Sequence, residues 1–184
     1  ILTFFINFFL FMTSTVLSQD QFNFDVTEVE ITENGNKFKG IKRGTIKTND
    51  GIIINADEFD YHKVKNILNA KGKVRVFDQF NNYIIYSDKI TYFKNNEIIF
   101  SSGNSKAISE NIIIEANRFE YDKNLNIITA NDNVRIDDIK EGVIIFSQNI
   151  KYKKNDEYIS TKGFTESKIK KKYDFYSKNV FLDR

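Results

Sequence analysis

His62 is the only imidazole in the chain, and cysteine is absent. Thiol catalysis, zinc–thiolate sites and disulfides are thereby excluded, and a Ser-His-Asp arrangement has one possible base, which falls in the turn-like run His62-Lys63-Val64-Lys65-Asn66. The remaining candidates for chemistry are acidic. Asp57, Glu58 and Asp60 are spaced closely enough to act as paired carboxylates or calcium ligands. Their equivalents elsewhere in the chain are Asp88, Lys89 and Thr91, or Gln148, Asn149 and Lys151, so the pattern demands polarity there rather than a charge or a ligand set. No catalytic residue, metal ligand or cofactor is assigned, and the chain is read as a non-enzyme.

Those equivalences come from an internal repeat. Ile54-Asn55-Ala56-Asp57-Glu58-Phe59-Asp60-Tyr61 returns as Ile114-Glu115-Ala116-Asn117-Arg118-Phe119-Glu120-Tyr121, with looser copies around Val26, Ser87, Ser147 and Ser177. Anchored on the small residue, the period is about thirty residues. A second register runs through the other half of each unit. Phe38, Leu68, Ile99, Ile128 and Ile159 are equivalent, followed two residues later by Gly40, Ala70, Ser101, Ala130 and Thr161. A step of two is the period of a β-strand, whose alternate side chains share a face. Runs rich in Asn, Asp, Gly and Lys separate the strands, and Asn, Asp and Gly tolerate the positive φ of tight hairpins. Each unit is therefore an antiparallel hairpin, and the fold class is all-β.

Within the first strand of a unit, Ile54 and Ala56 share a face, but Phe59 and Tyr61 are an odd number of residues further on. A bulge or corner just after the small residue would return both pairs to one interior. The triplets Ile52-Ile53-Ile54 and Ile112-Ile113-Ile114 lack polar alternation and are expected to be covered on both faces. Ile54, Phe59, Leu68, Val74, Ile114, Phe119, Ile128 and Val134 face inward in this scheme. They would form either a dry, self-filled core or, if the small inward residues leave room between sheets, a groove for acyl chains.

The net charge is only +2 over 184 residues, and the basic runs at 37–43 and 168–172 read as solvated strand ends, so a nucleic-acid partner is not expected. Residues 1–12 are apolar apart from Thr3 and Asn7, and Val16 and Ser18 take the small-residue seats of a signal-peptidase site. Residues 1–18 are read as a signal peptide lacking its n-region, and residues 19–184 as one domain. The apolar run is shorter than the ~20 residues a membrane-spanning helix needs. No cysteine follows the cleavage site to carry a lipid. The last copy stops after its first strand, which predicts truncation and an open strand edge able to pair with a partner.

The recurrent Ile-x-Ala-Asp-x-Phe-x-Tyr, together with Asn66-Ile67-Leu68-Asn69-Ala70-Lys71-Gly72-Lys73-Val74 and its partner at 126–134, resembles the OstA-like domain of lipopolysaccharide-transport proteins. The resemblance spans residues 22–184, with Asp132 departing from the glycine at that position. It implies an open β-jelly-roll, V-shaped in section, that passes lipopolysaccharide acyl chains through an apolar groove in the periplasm toward the outer membrane. The eight inward residues above become the expected lipid-binding set. The implied partners are lipopolysaccharide, other OstA-like transport proteins joined by edge-strand β-augmentation, and an outer-membrane barrel with its lipoprotein plug. The reading preferred is the N-terminal domain of the outer-membrane lipopolysaccharide-assembly protein. The alternatives are a free-standing bridge protein and a secreted structural β-repeat protein without a lipid ligand.

Overall fold

Strands form where apolar residues alternate with polar ones, and each ends where Asn, Asp, Gly or a charged residue takes a turn. The computed structural model describes residues 22–170 and 172–183; the predicted signal peptide lies outside them. The strands are β1 (Phe22–Asp25), β2 (Val29–Thr32), β3 (Lys37–Gly40), β4 (Gly44–Thr48), β5 (Ile52–Ala56), β6 (Glu58–His62), β7 (Ile67–Asp78), β8 (Tyr83–Phe93), β9 (Ile98–Ser109), β10 (Ile112–Asp122), β11 (Ile127–Asp138), β12 (Val143–Lys153), β13 (Tyr158–Ile169), β14 (Tyr173–Ser177) and β15 (Phe181–Asp183). All pair antiparallel in a single sheet, and from β7 to β13 each long strand pairs with its neighbours in sequence.

The expected corner is present. In β10, Ala116 and Phe119 are both buried while Asn117 and Arg118 between them are exposed, so two consecutive outward residues switch the phase. The ladder slips at the same place in every long pair: Ala116 faces Ser105 but Arg118 faces Ser102, and Ser147 faces Thr165 but Asn149 faces Lys162. The extra residue therefore lies on the second strand of each unit. There Gly72, Gly103 and Gly163 have φ of +80°, +83° and +90°, and Asp132 takes +65° in the same seat. The departure at Asp132 thus preserves the corner, because Asp is one of the few residues that enter the left-handed region with little strain.

The corner folds the sheet over on itself and divides it into two layers. One layer contains β1, β4, β5 and β14 with the half of each long strand that ends at the 79–82, 110–111 and 139–142 turns. The other contains β2, β3, β6 and β15 with the half that ends at the 63–66, 94–97, 123–126 and 154–157 turns. The corner is the spine of a V, and the two rows of turns are the lips of its mouth.

Two expectations are corrected. Ile53 and Ile113 are only half-buried, whereas their neighbours Ile52, Ile54, Ile112 and Ile114 are at most 1% exposed. The triplets are covered on one face; cross-strand neighbours such as Phe77, which is paired with Ile53, shade the outer side chains within the plane of the sheet. The small inward residues, Ala56, Ala70, Ala116, Ala130, Ser87, Ser101 and Ser105, line the corner rather than the middle of the interior. Two halves of one strand converge at a corner, and bulk there would pry them apart. In alternate units the corner carries hydroxyls that satisfy one another, Ser101 to Ser105 at 2.9 Å and Thr161 to Thr165 at 2.7 Å.

Candidate functional site

The eight residues expected to line a groove all point into one continuous core. Ile54 on β5, Val74 on β7, Ile114 on β10 and Val134 on β11 belong to one layer; Phe59 on β6, Leu68 on β7, Phe119 on β10 and Ile128 on β11 belong to the other. None is more than 3% exposed. Cross-strand pairing sets them beside further apolar or small partners: Ile54 opposite Val76, Phe59 opposite Ala70, Ile114 opposite Ile136, and Val134 opposite Ser147. The layers touch. The ring of Phe22 in one meets Tyr61 in the other edge-on at 4.8 Å between centroids, and Tyr83 meets Tyr121 at 5.0 Å.

The sequence reading missed the tyrosines as lining residues. Tyr61, Tyr92, Tyr121 and Tyr152 stand five residues after the small anchor in four successive units, and all are buried. Their recurrence was visible, but a tyrosine earns a place in an interior only when its hydroxyl finds a partner, which the sequence does not state. Here Tyr61 donates to Asn66 Oδ1 at 2.9 Å, Tyr92 to Glu97 Oε2 at 2.6 Å and Tyr121 to Asp78 Oδ2 at 2.7 Å. Each ring lies in the core while its hydroxyl reaches the mouth.

Two residues beyond each tyrosine stands a lysine: Lys63, Lys94, Lys123 and Lys154. The backbone pins each in the same way, its N–H donating to the last residue of the preceding unit's turn, Asn36, Asn66, Glu97 and Asn126 respectively. Three ammonium groups reach across the mouth to the opposite lip. Lys94 and Lys123 both bind Asp50, at 3.1 and 2.6 Å, and both contact Glu97 on their own lip. Lys154 donates to the carbonyl of Asn81 at 2.7 Å, lies 3.4 Å from Glu110, and caps the ring of Tyr83. Asn81 adds an uncharged crossing, its amide donating to the Tyr121 hydroxyl at 2.9 Å and to the Lys123 carbonyl at 3.0 Å. A cationic lip is thus fastened to an acidic one.

Burial raises the pKa of the Asp50 carboxyl, but hydrogen bonding to Lys123, Thr48, Lys94 and Glu97 outweighs it and holds Asp50 below the ordinary carboxylate range. Lys123 moves up: burial opposes its charge, and the Asp50 hydrogen bond and Glu97 overcome that. The hydroxyls of Tyr92 and Tyr121 are raised by burial first and by their acidic partners second, so both remain donors. Glu97 has φ of +56°, a conformation that strains an ordinary residue and persists here where Tyr92, Lys94 and Lys123 converge on its carboxylate.

The outer face carries ion pairs of its own: Lys106 and Arg135 both meet Glu115, at 3.0 and 3.5 Å, and Arg135 also meets Asp137 at 2.7 Å. Asp57 pairs with Arg43 at 2.8 Å, Asp60 with Lys37 at 3.8 Å and Glu58 with Lys71 at 3.7 Å, and His62 Nδ1 accepts from the Lys65 N–H. Among the described residues no group of three His, Cys, Asp or Glu is placed to hold a metal ion.

These features define first a class of fold: one antiparallel sheet doubled over a continuous apolar interior, with an open strand edge at each end of the described array. Comparison with known proteins then gives that fold a structural neighbour. No family model matches the chain, and no curated protein matches it by sequence. Among solved structures it is similar to LptH of Pseudomonas aeruginosa, described as the LptA-homologous periplasmic component of the conserved lipopolysaccharide transport device. The TM-score is 0.56 at 15% sequence identity, covering 61% of this chain and 85% of LptH. At that identity the likeness establishes an LptA-like β-jelly-roll fold.

Proposed function

We propose that the protein is a periplasmic carrier segment along which lipopolysaccharide travels toward the outer membrane, its acyl chains between the two layers and its sugars in water. The observation that carries this reading is the continuous apolar interior, which runs from Phe22 on β1 to Ile159 on β13 behind a polar mouth. Each methylene moved from water into such an interior contributes about 0.8 kcal/mol, so acyl chains are held without a dedicated polar site. The fold it shares with a periplasmic lipopolysaccharide-transport component supports the same reading. Residues 1–18 serve as the signal peptide and residues 19–184 as the transport domain, which we assign to the N-terminal part of an outer-membrane lipopolysaccharide-assembly protein.

The strand edges supply the partner contacts. On one side β2 exposes Val29 and Ile31; on the other, β14 and β15 expose Tyr173, Phe175, Tyr176 and Phe181. Unpaired N–H and C=O groups beside exposed apolar side chains suit β-augmentation by another OstA-like domain, which would lengthen the interior into a conduit. The outer-membrane barrel and its lipoprotein plug would complete the path.

A second reading, a secreted structural β-repeat, draws on the close contact of the layers, which leaves all eight candidate residues out of water. Photo-crosslinking separates the two. A photoreactive amino acid at Phe59 or Phe119 is expected to capture lipopolysaccharide in cells that make it, and one at Glu58, on the outer face, is not. Capture from Glu58 alone, or from none of the three, would sink the carrier assignment.

A further inference from the structure

The lysines of the mouth sit in a regular row. They occupy one seat per unit, and because each unit contributes two strands about 4.8 Å apart, successive seats are spaced by roughly 9–10 Å along the lip, while the ammonium groups of Lys94 and Lys123 converge on one oxygen of Asp50. Their side chains are unusually sheltered for lysine: 11% exposed at Lys94 and Lys123 and 17% at Lys154. Surface lysines on strand ends normally extend into water, yet Lys94 lies back over the ring of Tyr92 at 5.8 Å and Lys154 reaches the ring of Tyr83 on the facing lip at 5.1 Å.

Their counter-charges are divided between the lips. Glu97 is on the same lip as the lysines, but Asp50 and Glu110 stand on the facing one, as do the Asn81 amide and carbonyl. Parting the layers far enough to admit an acyl chain separates Lys94 and Lys123 from Asp50, and Lys154 from Glu110 and Asn81. Three ammonium groups would then border a newly opened apolar slot with too few carboxylates to pair them.

Resting on the carrier reading above, we propose that Lys94, Lys123 and Lys154 form a latch that doubles as a headgroup rail: they close the mouth against Asp50 and Glu110, and exchange those carboxylates for the phosphates of an anionic, acylated amphiphile when the layers part. Phosphate suits the exchange because each monoester offers several acceptor oxygens to an ammonium donor. A carboxylate on the opposite lip and a phosphate on the cargo compete for the same cation, so opening and headgroup capture become one step. Lys63, in the equivalent seat of the preceding unit, extends the row toward the chain's start.

The test uses the whole chain with three probes: bisphosphorylated lipid A, the same molecule with both phosphates removed, and inorganic phosphate. Wild-type protein is expected to bind both amphiphiles, the phosphorylated one more tightly, and to bind inorganic phosphate only in the millimolar range. The triple variant Lys94→Gln, Lys123→Gln, Lys154→Gln should lose about 10- to 100-fold in affinity for lipid A, and hold or gain affinity for the dephosphorylated form. Asp50→Asn guards against a folding artefact because it acts in the opposite direction, tightening lipid A more than its dephosphorylated counterpart. Equal losses for both amphiphiles in the triple variant, or an unchanged affinity for lipid A, would overturn the rail. Tight binding of inorganic phosphate would mark a free-anion site instead of a headgroup site, also against the proposal. If wild-type protein binds neither amphiphile, the carrier reading itself falls and the rail with it.

Discussion

Gly103 and Asp132 hold the same seat at successive corners, yet their side chains are not interchangeable. A Cβ at Gly103 would lie 2.5 Å from Oδ2 and 2.9 Å from Cβ of Asp88. The carboxylate can rotate aside, but the Asp88 Cβ is fixed by β8, so the backbone must move. Left-handed backbone at a non-glycine residue costs about 1 kcal/mol, and relieving the overlap adds about 1–2 kcal/mol. The Asn104 amide, which donates to Asp88 Oδ2 at 2.9 Å, is displaced as well. Gly103→Asp is therefore expected to destabilise the domain by about 2–4 kcal/mol, or roughly 5–15 °C in Tm for a chain of this size. At the following corner the residue equivalent to Asp88 is Asn117, and Arg118 binds the Asp132 carboxylate at 2.7 Å. Transplanting that environment, with Asp88→Asn and Lys89→Arg added to Gly103→Asp, should recover at least half of the loss. Urea unfolding followed by tyrosine fluorescence and circular dichroism reads both numbers. A single Gly103→Asp variant within about 0.5 kcal/mol of wild type, or a transplant no better than the single change, would refute the corner reasoning.

Phe119→Ala removes a ring 2% exposed at the centre of the core and should cost about 3–5 kcal/mol in urea unfolding; a loss under about 1 kcal/mol would mean the interior is loosely filled. Tyr121→Phe deletes the donor to Asp78, a fully buried carboxylate that keeps its bonds from the Asn81 amide and from the N–H groups of Phe80 and Asn81. The expected cost is therefore moderate, about 1–2 kcal/mol, and a neutral result would show that the Tyr121 crossing does not fasten the lips. Because the Asp50 pKa is depressed on folding, its contribution is fully present above the unfolded value near 3.9 and is lost as pH falls further. The stability gap between wild type and Asp50→Asn should accordingly be constant at neutral pH and shrink below about pH 4. Lys123 is shifted up, so its contribution should persist to about pH 10 and fade only as pH rises through its folded pKa.

Most of the architecture was legible because its causes are local. The step of two from Leu68 to Ala70 fixes a face, Asn-rich runs mark turns, and the odd spacing from Ala56 to Phe59 demands a corner whatever the rest of the chain does. Turn chemistry was less legible in detail. Glu97, Glu110 and Glu157 occupy left-handed turn positions that the sequence suggested for Asn, Asp or Gly. At Glu97, contacts with Tyr92, Lys94 and Lys123 hold the residue there.

The repeat, the hairpins, the corner and the inward set from Ile54 to Val134 are legible in the chain before it folds, since each follows from the period of a strand and the φ preferences of single residues. Folding settles the rest: the small residues line the spine, Ile53 and Ile113 remain half in water, and Asp50 meets Lys123, 73 residues further along the chain. Those outcomes depend on how far the folded sheet closes and on which turns its twist brings face to face. Such geometry accumulates over many strands and is written in no single segment.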